Sequence, residues 1–138
     1  MPSERRLAER VQGAAVRVLC IRWLGVATSE HEQMVRLFRD VMGLRLEFEE
    51  PGTAELSLPS GDRVQVFGPG LPTFDLFDEH ATGPVALFEV DDLSAARAEL
   101  TAAGIELVGE PGRDRAWEWL NFRAPDGNLY ELASRVAP

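Results

Sequence analysis

Residues 124–132 read APDGNLYEL, a tight turn over Pro125, Asp126 and Gly127 that feeds a short strand. Asp-Gly beside an apolar run is a turn signal, because glycine takes positive φ without strain. Side chains alternate along a strand, so Leu129, Glu131 and Ala133 share one face. That face is apolar apart from one carboxylate. Burying an ionised carboxylate is costly unless a cation or hydrogen-bond donors meet it. The groups that converge on Glu131 therefore decide what the chain does.

Upstream, one grammar occurs twice. "VRVLCIRWLGVA" (16–27) is a β-rich run, and "SEHEQMVRLFRDVMG" (29–43) then sets Met34, Leu37, Phe38, Val41 and Met42 at helical spacing, with Gly43 as a left-handed stop. "GPVALFEV" (83–90) and "DDLSAARAELTAAG" (91–104) repeat the pattern, with Leu93, Ala96, Leu100 and Ala103 on one helical face, Asp91 or Asp92 as cap and Gly104 as stop. Three short strand candidates follow each helix: "LRLEFEE", "AELSLP" and "RVQVFG", then "IELVG", "AWEWLNFR" and "NLYELA". Turn signals at Pro51-Gly52, Ser60-Gly61, Pro111-Gly112 and Asp126-Gly127 separate them.

The expected fold is α+β, two βαβββ modules forming a curved mixed sheet around a cleft. Residues 1–15 read as a tail, 16–67 as the first module, 68–83 as a connector and 84–135 as the second module. The connector, "GPGLPTFDLFDEHATG", reads as irregular, with Leu71, Phe74, Leu76 and Phe77 available for an interface. One helix per module covers only one sheet face. The two uncovered faces enclose a cleft, the natural place for a ligand.

Composition narrows the partners. The chain has 138 residues, 45% hydrophobic and 27% charged, which suits one domain with its own core. A net charge of -9 disfavours nucleic acid and anionic membrane surfaces. A single cysteine, Cys20, excludes an intrachain disulfide and suits a reducing, cytoplasmic setting. All 14 basic residues are arginine, a codon-usage hint of a GC-rich bacterial source.

The segments "VRLFRDVMGLRL", "VALFEVDDLSAARAELTAAGIEL" and "APDGNLYEL", in this order and spacing, resemble the vicinal oxygen chelate superfamily of glyoxalases, bleomycin-resistance proteins and extradiol dioxygenases, from about Val16 to Ala133. The resemblance implies a homodimer and, in members that use a metal, one ligand from each of four strands: a His on the first strand of each module and a Glu or similar residue on the last. Counting from the helix-ending glycines, those positions fall on Trp23, Gln65, Pro84 and Glu131. Trp and Pro offer no donor to a cation, so neither metal nor other cofactor is expected. His31, in a polar first helical turn, and His80, in the connector, are the remaining imidazoles and read as solvated rather than as displaced ligands.

Strand phase then nominates the cleft: Trp23; Arg63, Gln65 and Phe67; Trp117, Trp119, Asn121 and Arg123; and Glu131. Arg63 or Arg123 is expected to neutralise Glu131; otherwise a bound cation would do so, helped by tryptophan faces. Three functions compete: a metal-free binder of an aromatic or cationic small molecule; an enzyme of the lyase, isomerase or dioxygenase kind, with displaced ligands or with Glu131 as general base; and a dimeric accessory module with a vestigial cleft.

Overall fold

A computed structural model describes residues 16–136, so the expected tail lies outside the described residues. Eight strands form one sheet: β1 (Val18–Ala27), β2 (Arg45–Glu50), β3 (Thr53–Ser57), β4 (Arg63–Phe67), β5 (Val85–Val90), β6 (Leu107–Arg113), β7 (Trp117–Arg123) and β8 (Leu129–Arg135). Their order is β2-β3-β4-β1-β5-β8-β7-β6, so each half reads outward from a central β1–β5 pair. β1 and β5 run antiparallel, while β1–β4 and β5–β8 are parallel. The mixed sheet of two βαβββ halves is the one expected from the repeat.

Helices α1 (His31–Arg36) and α3 (Leu93–Ala102) cover one sheet face. Under α1, Val35 packs on Ala54, Leu56 and Val66. Under α3, Leu93 and Ala96 pack on Val90, Leu120 and Leu132. Asp92 caps α3, its Oδ1 accepting from the Ala95 amide at 3.0 Å. The two helices differ in one respect that matters below. The first continues as a π-helical turn, Leu37–Val41, closed by the Met42 amide donating to the Leu37 carbonyl at 2.9 Å. A π turn holds one residue more than the α turn it replaces.

The connector corrects the sequence reading. It contains a nine-residue helix, α2 (Pro72–His80), begun by proline in its first turn. Proline there forfeits an amide that has no intrahelical partner anyway, so it opens the helix it was taken to exclude. Phe77, buried at 3% exposure, joins Phe67, Val85, Val108 and Leu129, and Trp23, Leu71, Phe74 and Leu76 pack around them. The apolar side chains expected to be free for an interface therefore fill the molecule. They close one end of the trough on the face that α1 and α3 leave uncovered.

Phe77 meets Phe67 at 5.6 Å and Trp23 at 6.2 Å between ring centroids. Phe77→Ala should lower stability by about 3–5 kcal/mol, the usual cost of emptying an aromatic core site. Urea unfolding followed by far-UV circular dichroism measures it, and a loss under 1 kcal/mol would mean that α2 is not anchored through this ring.

Candidate functional site

The β1–β5 pair sets the site's coordinates. Trp23 lies opposite Leu87, and Gly25 opposite Val85. On the outer sides, β4 brings Gln65 level with Gly25, and β8 brings Glu131 level with Leu87. Gln65 and Glu131 thus occupy matching places, each two residues beyond Trp23 and Val85. The second-module counterpart of Trp23 is therefore Val85 and not Pro84. The one-residue error has a local cause: the π turn lengthens the first module between its strand and Gly43, so counting back from Gly104 overshoots. Val85 is fully buried beside Phe67 and Phe77, while Pro84 lies outside the strand and is exposed.

These strands enclose a cavity of about 470 Å³. Its apolar walls are Trp23, Phe48, Phe67, Leu87, Trp117, Trp119 and Ala133, and its polar lining is Arg22, Glu55, Gln65, Thr73, Asp114 and Glu131. Two indoles are seated on glycines. A methyl group on Gly25 would collide with the Trp23 ring, and one on Gly112 with the Trp119 ring. Each tryptophan ring comes close to backbone because the glycine beside it has no side chain.

Glu131 is the chemical centre. It is 7% exposed, and burial pushes its carboxyl up to about 8. Neither expected arginine neutralises it. Arg63 pairs with Glu55 at 3.2 Å. Arg123 donates to the His80 and Gly127 carbonyls at 3.3 and 3.1 Å and to His80 Nδ1 at 3.1 Å, fastening the end of α2 to the β7–β8 turn. Asn121 lies directly opposite Glu131 in the β7–β8 ladder. It is buried, its Oδ1 has no partner, and it does not line the cavity. Gln65 lines the cavity, its Nε2 donating to Thr53 Oγ1 at 3.2 Å.

Of the nominated residues, Trp23, Gln65, Phe67, Trp117, Trp119 and Glu131 meet at the cavity, and Arg63, Asn121 and Arg123 do not line it. Several lining residues escaped strand phase. Arg22 should point away from Trp23, but the ladder shifts between Ile21 and Trp23, and the bulge turns Arg22 toward the cavity, its guanidinium carbon 5.4 Å from the Trp117 ring centre. Arg135 stands over the same ring at 4.6 Å. A second shift, between Leu46 and Phe48, accompanies Phe48 at the rim beside Glu55. Asp114 lines the rim while its Oδ1 accepts from the Ala116 and Trp117 amides, both at 2.8 Å. Only this last signal was readable, since Asp before a strand start is a turn residue.

The chain belongs to the Glyoxalase/Bleomycin resistance protein/Dioxygenase superfamily, whose sequence profile matches residues 21–132. A glyoxalase/bleomycin resistance protein/dioxygenase superfamily member from Vibrio splendidus 12B01 matches with TM-score 0.61 and 20% identity, over 88% of this chain and 99% of that one. The Mn(II)-bound glyoxalase from Novosphingobium aromaticivorans matches with TM-score 0.63 and 25% identity, over 88% of this chain and 40% of that one. Methylmalonyl-CoA epimerase from Mycobacterium tuberculosis matches with TM-score 0.60 and 22% identity, over 91% and 92% of the two chains. Among curated proteins, none matches.

The four strand positions do not fit the metal that the resemblance implies. Trp23 and Val85 have no lone pair to give, Gln65 is a weak oxygen donor, and Glu131 is the one carboxylate among the four. Among the described residues no group of three or more His, Cys, Asp and Glu side chains is placed to hold a metal ion. The histidines lie elsewhere and, contrary to expectation, neither is simply solvated. The His31 ring packs under Gly68 with its Nε2 buried, and His80 is held by Arg123.

A carboxyl held near 8 in the fold and near 4.5 when unfolded keeps its proton longer in the native state. Its contribution is fully present below pH 4.5 and is lost as pH rises toward 8, because the unfolded chain releases the proton first. Glu131→Gln should remove that part of the slope, leaving the variant more stable than the parent at pH 8. Urea midpoints from pH 4 to 9 test this, together with direct carboxyl NMR titration; a Glu131 midpoint below 5.5 would refute it.

Proposed function

We propose that the chain is a metal-free binding protein for a small aromatic or cationic organic molecule. The guest lies between the tryptophan walls, and Gln65 and Glu131 supply its polar contacts. The observation that carries this reading is the donor chemistry of the four central positions, Trp23, Gln65, Val85 and Glu131, of which Trp23, Gln65 and Glu131 line a cavity that also holds Phe48, Phe67, Trp117 and Trp119. Cavities of roughly 300–1,000 Å³ with apolar walls and a few polar groups are typical of small-molecule sites. No cofactor is assigned. The acidic surface suits neither nucleic acid nor membrane partners, and among the described residues no helix is long and apolar enough to cross a membrane. We assign the chain to the cytoplasm on the strength of its lone cysteine.

Purified protein titrated with Zn²⁺, Mn²⁺, Ni²⁺ or Fe²⁺ should show no stoichiometric binding by calorimetry. A fused-ring aromatic guest should quench tryptophan fluorescence, and Trp119→Ala should weaken that guest about tenfold or more, as expected when a buried aromatic contact is lost. One tightly held ion per chain would sink the metal-free reading.

One observation favours a second reading. A carboxyl titrating at about 8 suits proton abstraction beside a carbonyl, with Glu131 as the general base. Such a catalyst would exchange solvent deuterium into its guest, whereas a sequestering protein returns it unchanged.

We further propose a homodimer. β4 joins β1 only from Leu24 onward, and Val18, Leu19 and Ile21 on the preceding stretch are 53%, 58% and 55% exposed. Val41 and Met42 add to the exposed apolar surface. Burial of such residues by a second copy is favourable at roughly 25 cal/mol per Å². Light scattering should give twice the chain mass, and Leu19→Glu with Ile21→Glu should halve it; a monomer at micromolar concentration would end the proposal.

A further inference from the structure

We propose that Gly112 is a specificity-determining residue of the cleft: by leaving its side-chain space to the Trp119 indole, it draws that ring off the cavity floor and admits a flat guest as long as a fused tricycle. The inference rests on the binding reading of the cleft and adds to it the length of the guest.

Gly25 and Gly112 do not serve the backbone. Neither is among the glycines with positive φ, so alanine could adopt either conformation without strain. Glycine inside a strand weakens it for want of a side chain to pack, and often marks a close approach by another group. Here that group is a ring. A methyl group at 112 would fall on Trp119 Cε2, Cζ2 and Nε1, and one at 25 on Trp23 Cζ3. The two rings differ in their freedom to move. Trp23 is wedged against Phe67 and Phe77, at 5.8 and 6.2 Å between ring centroids, and Phe77 Cε2 also lies 2.9 Å from the methyl position at Gly25. Trp119 is half-buried, and among the described residues no other aromatic ring pairs with it.

The ladder fixes where a displaced Trp119 ring would go. Its partners on the flanking strands are Gly112 on β6 and Ala133 on β8, and cross-strand partners share a face of the sheet. The ring leans over Gly112, while Ala133 lines the cavity floor. An alanine at 112 therefore drives the ring toward β8, across Ala133 and into the hollow. The position of the ring sets a length. Trp23 on β1 and Trp119 on β7 stand at the two ends of a floor made by Leu87 on β5 and by Glu131 and Ala133 on β8. Their backbones are three strand spacings apart, roughly 14 Å of sheet. A linear tricycle reaches from one indole to the other, and a bicycle touches one. Returning Trp119 to the space over Ala133 shortens the seat by up to about one strand spacing, or roughly 5 Å.

Quinoline and acridine differ by one fused ring and carry the same ring nitrogen, so comparing them isolates length. Equilibrium dialysis of the full chain at pH 7.5 should show acridine bound about tenfold or more tightly than quinoline, because the longer guest gains a second indole contact. Gly112→Ala should weaken acridine about tenfold or more, as overpacking does, and leave quinoline within about threefold. In a Trp119→Ala background the same substitution should change neither probe, because no ring remains to be displaced. Ala133→Val fills the same hollow from β8 and should also weaken acridine selectively; it carries the test if far-UV circular dichroism shows Gly112→Ala to be unfolded. If the parent does not prefer acridine, if Gly112→Ala weakens both probes alike or neither, or if its effect persists without the Trp119 ring, this proposal is overturned while the cleft remains a binding site. If the parent binds neither probe, the binding reading falls and takes this proposal with it.

Discussion

The antiparallel pairing of β1 with β5 is the constraint on which the rest depends. Each half buries only its helix-facing side, and a four-stranded sheet with one bare face is a poor domain by itself. Pairing the two first strands makes one eight-stranded sheet and brings both bare faces onto a common trough. The same ladder fixes the chemistry: with Trp23 opposite Leu87 and Gly25 opposite Val85, parallel pairing on either side leaves Gln65 and Glu131 in equivalent places. A slip of one residue between β1 and β5 would turn one half over relative to the other, parting Trp23 and Gln65 from Glu131. The trough's contents are therefore specified as a set.

Within that set, burial and ionisation compete at Glu131. Removing an unpaired carboxylate from water costs far more than holding it protonated, so the proton stays and the group titrates at about 8. What remains is the smaller penalty of an unmatched neutral carboxyl. Neither arginine expected from the sequence meets it: Arg63 is held by Glu55, and Arg123 by the α2 carboxyl-terminal turn and the β7–β8 turn. Both are used to fasten elements, and Arg22, the cation that does line the cavity, stands over the Trp117 ring.

Much of this was legible in the sequence where the signal was periodic. The two βαβββ halves and their helices followed from spacing, and strand phase brought Trp23, Gln65, Phe67, Trp119 and Glu131 to the cavity while also nominating Arg63, Asn121 and Arg123, which do not line it. What was missed lies where periodicity breaks. Arg22 reaches the cavity through a bulge that no composition announces. Val85 was mistaken for Pro84 because a π turn stores one residue invisibly in the first helix. The helix in the connector was missed because the whole segment was read as irregular, although its proline suits a helix's first turn. Side-chain partners were the least legible of all: the engagement of Arg63 and Arg123 depends on which groups the β3–β4 and β7–β8 pairings bring within reach.

The misplacement of one residue does not alter the proposed chemistry, for a physical reason. Metal binding needs several lone pairs converging at about 2 Å, and two of the four positions supply none. Neither Pro84 nor Val85 offers one, and a one-residue shift along this strand leaves the donor set unchanged. Recognition of an organic guest is less forgiving. It depends on which flat surfaces face each other and on which polar atoms are already committed, such as the Gln65 amide nitrogen on Thr53. The choice of ligand class therefore turns on packing and hydrogen bonds, while the poor fit of these four positions to a metal ion turns on residue identity.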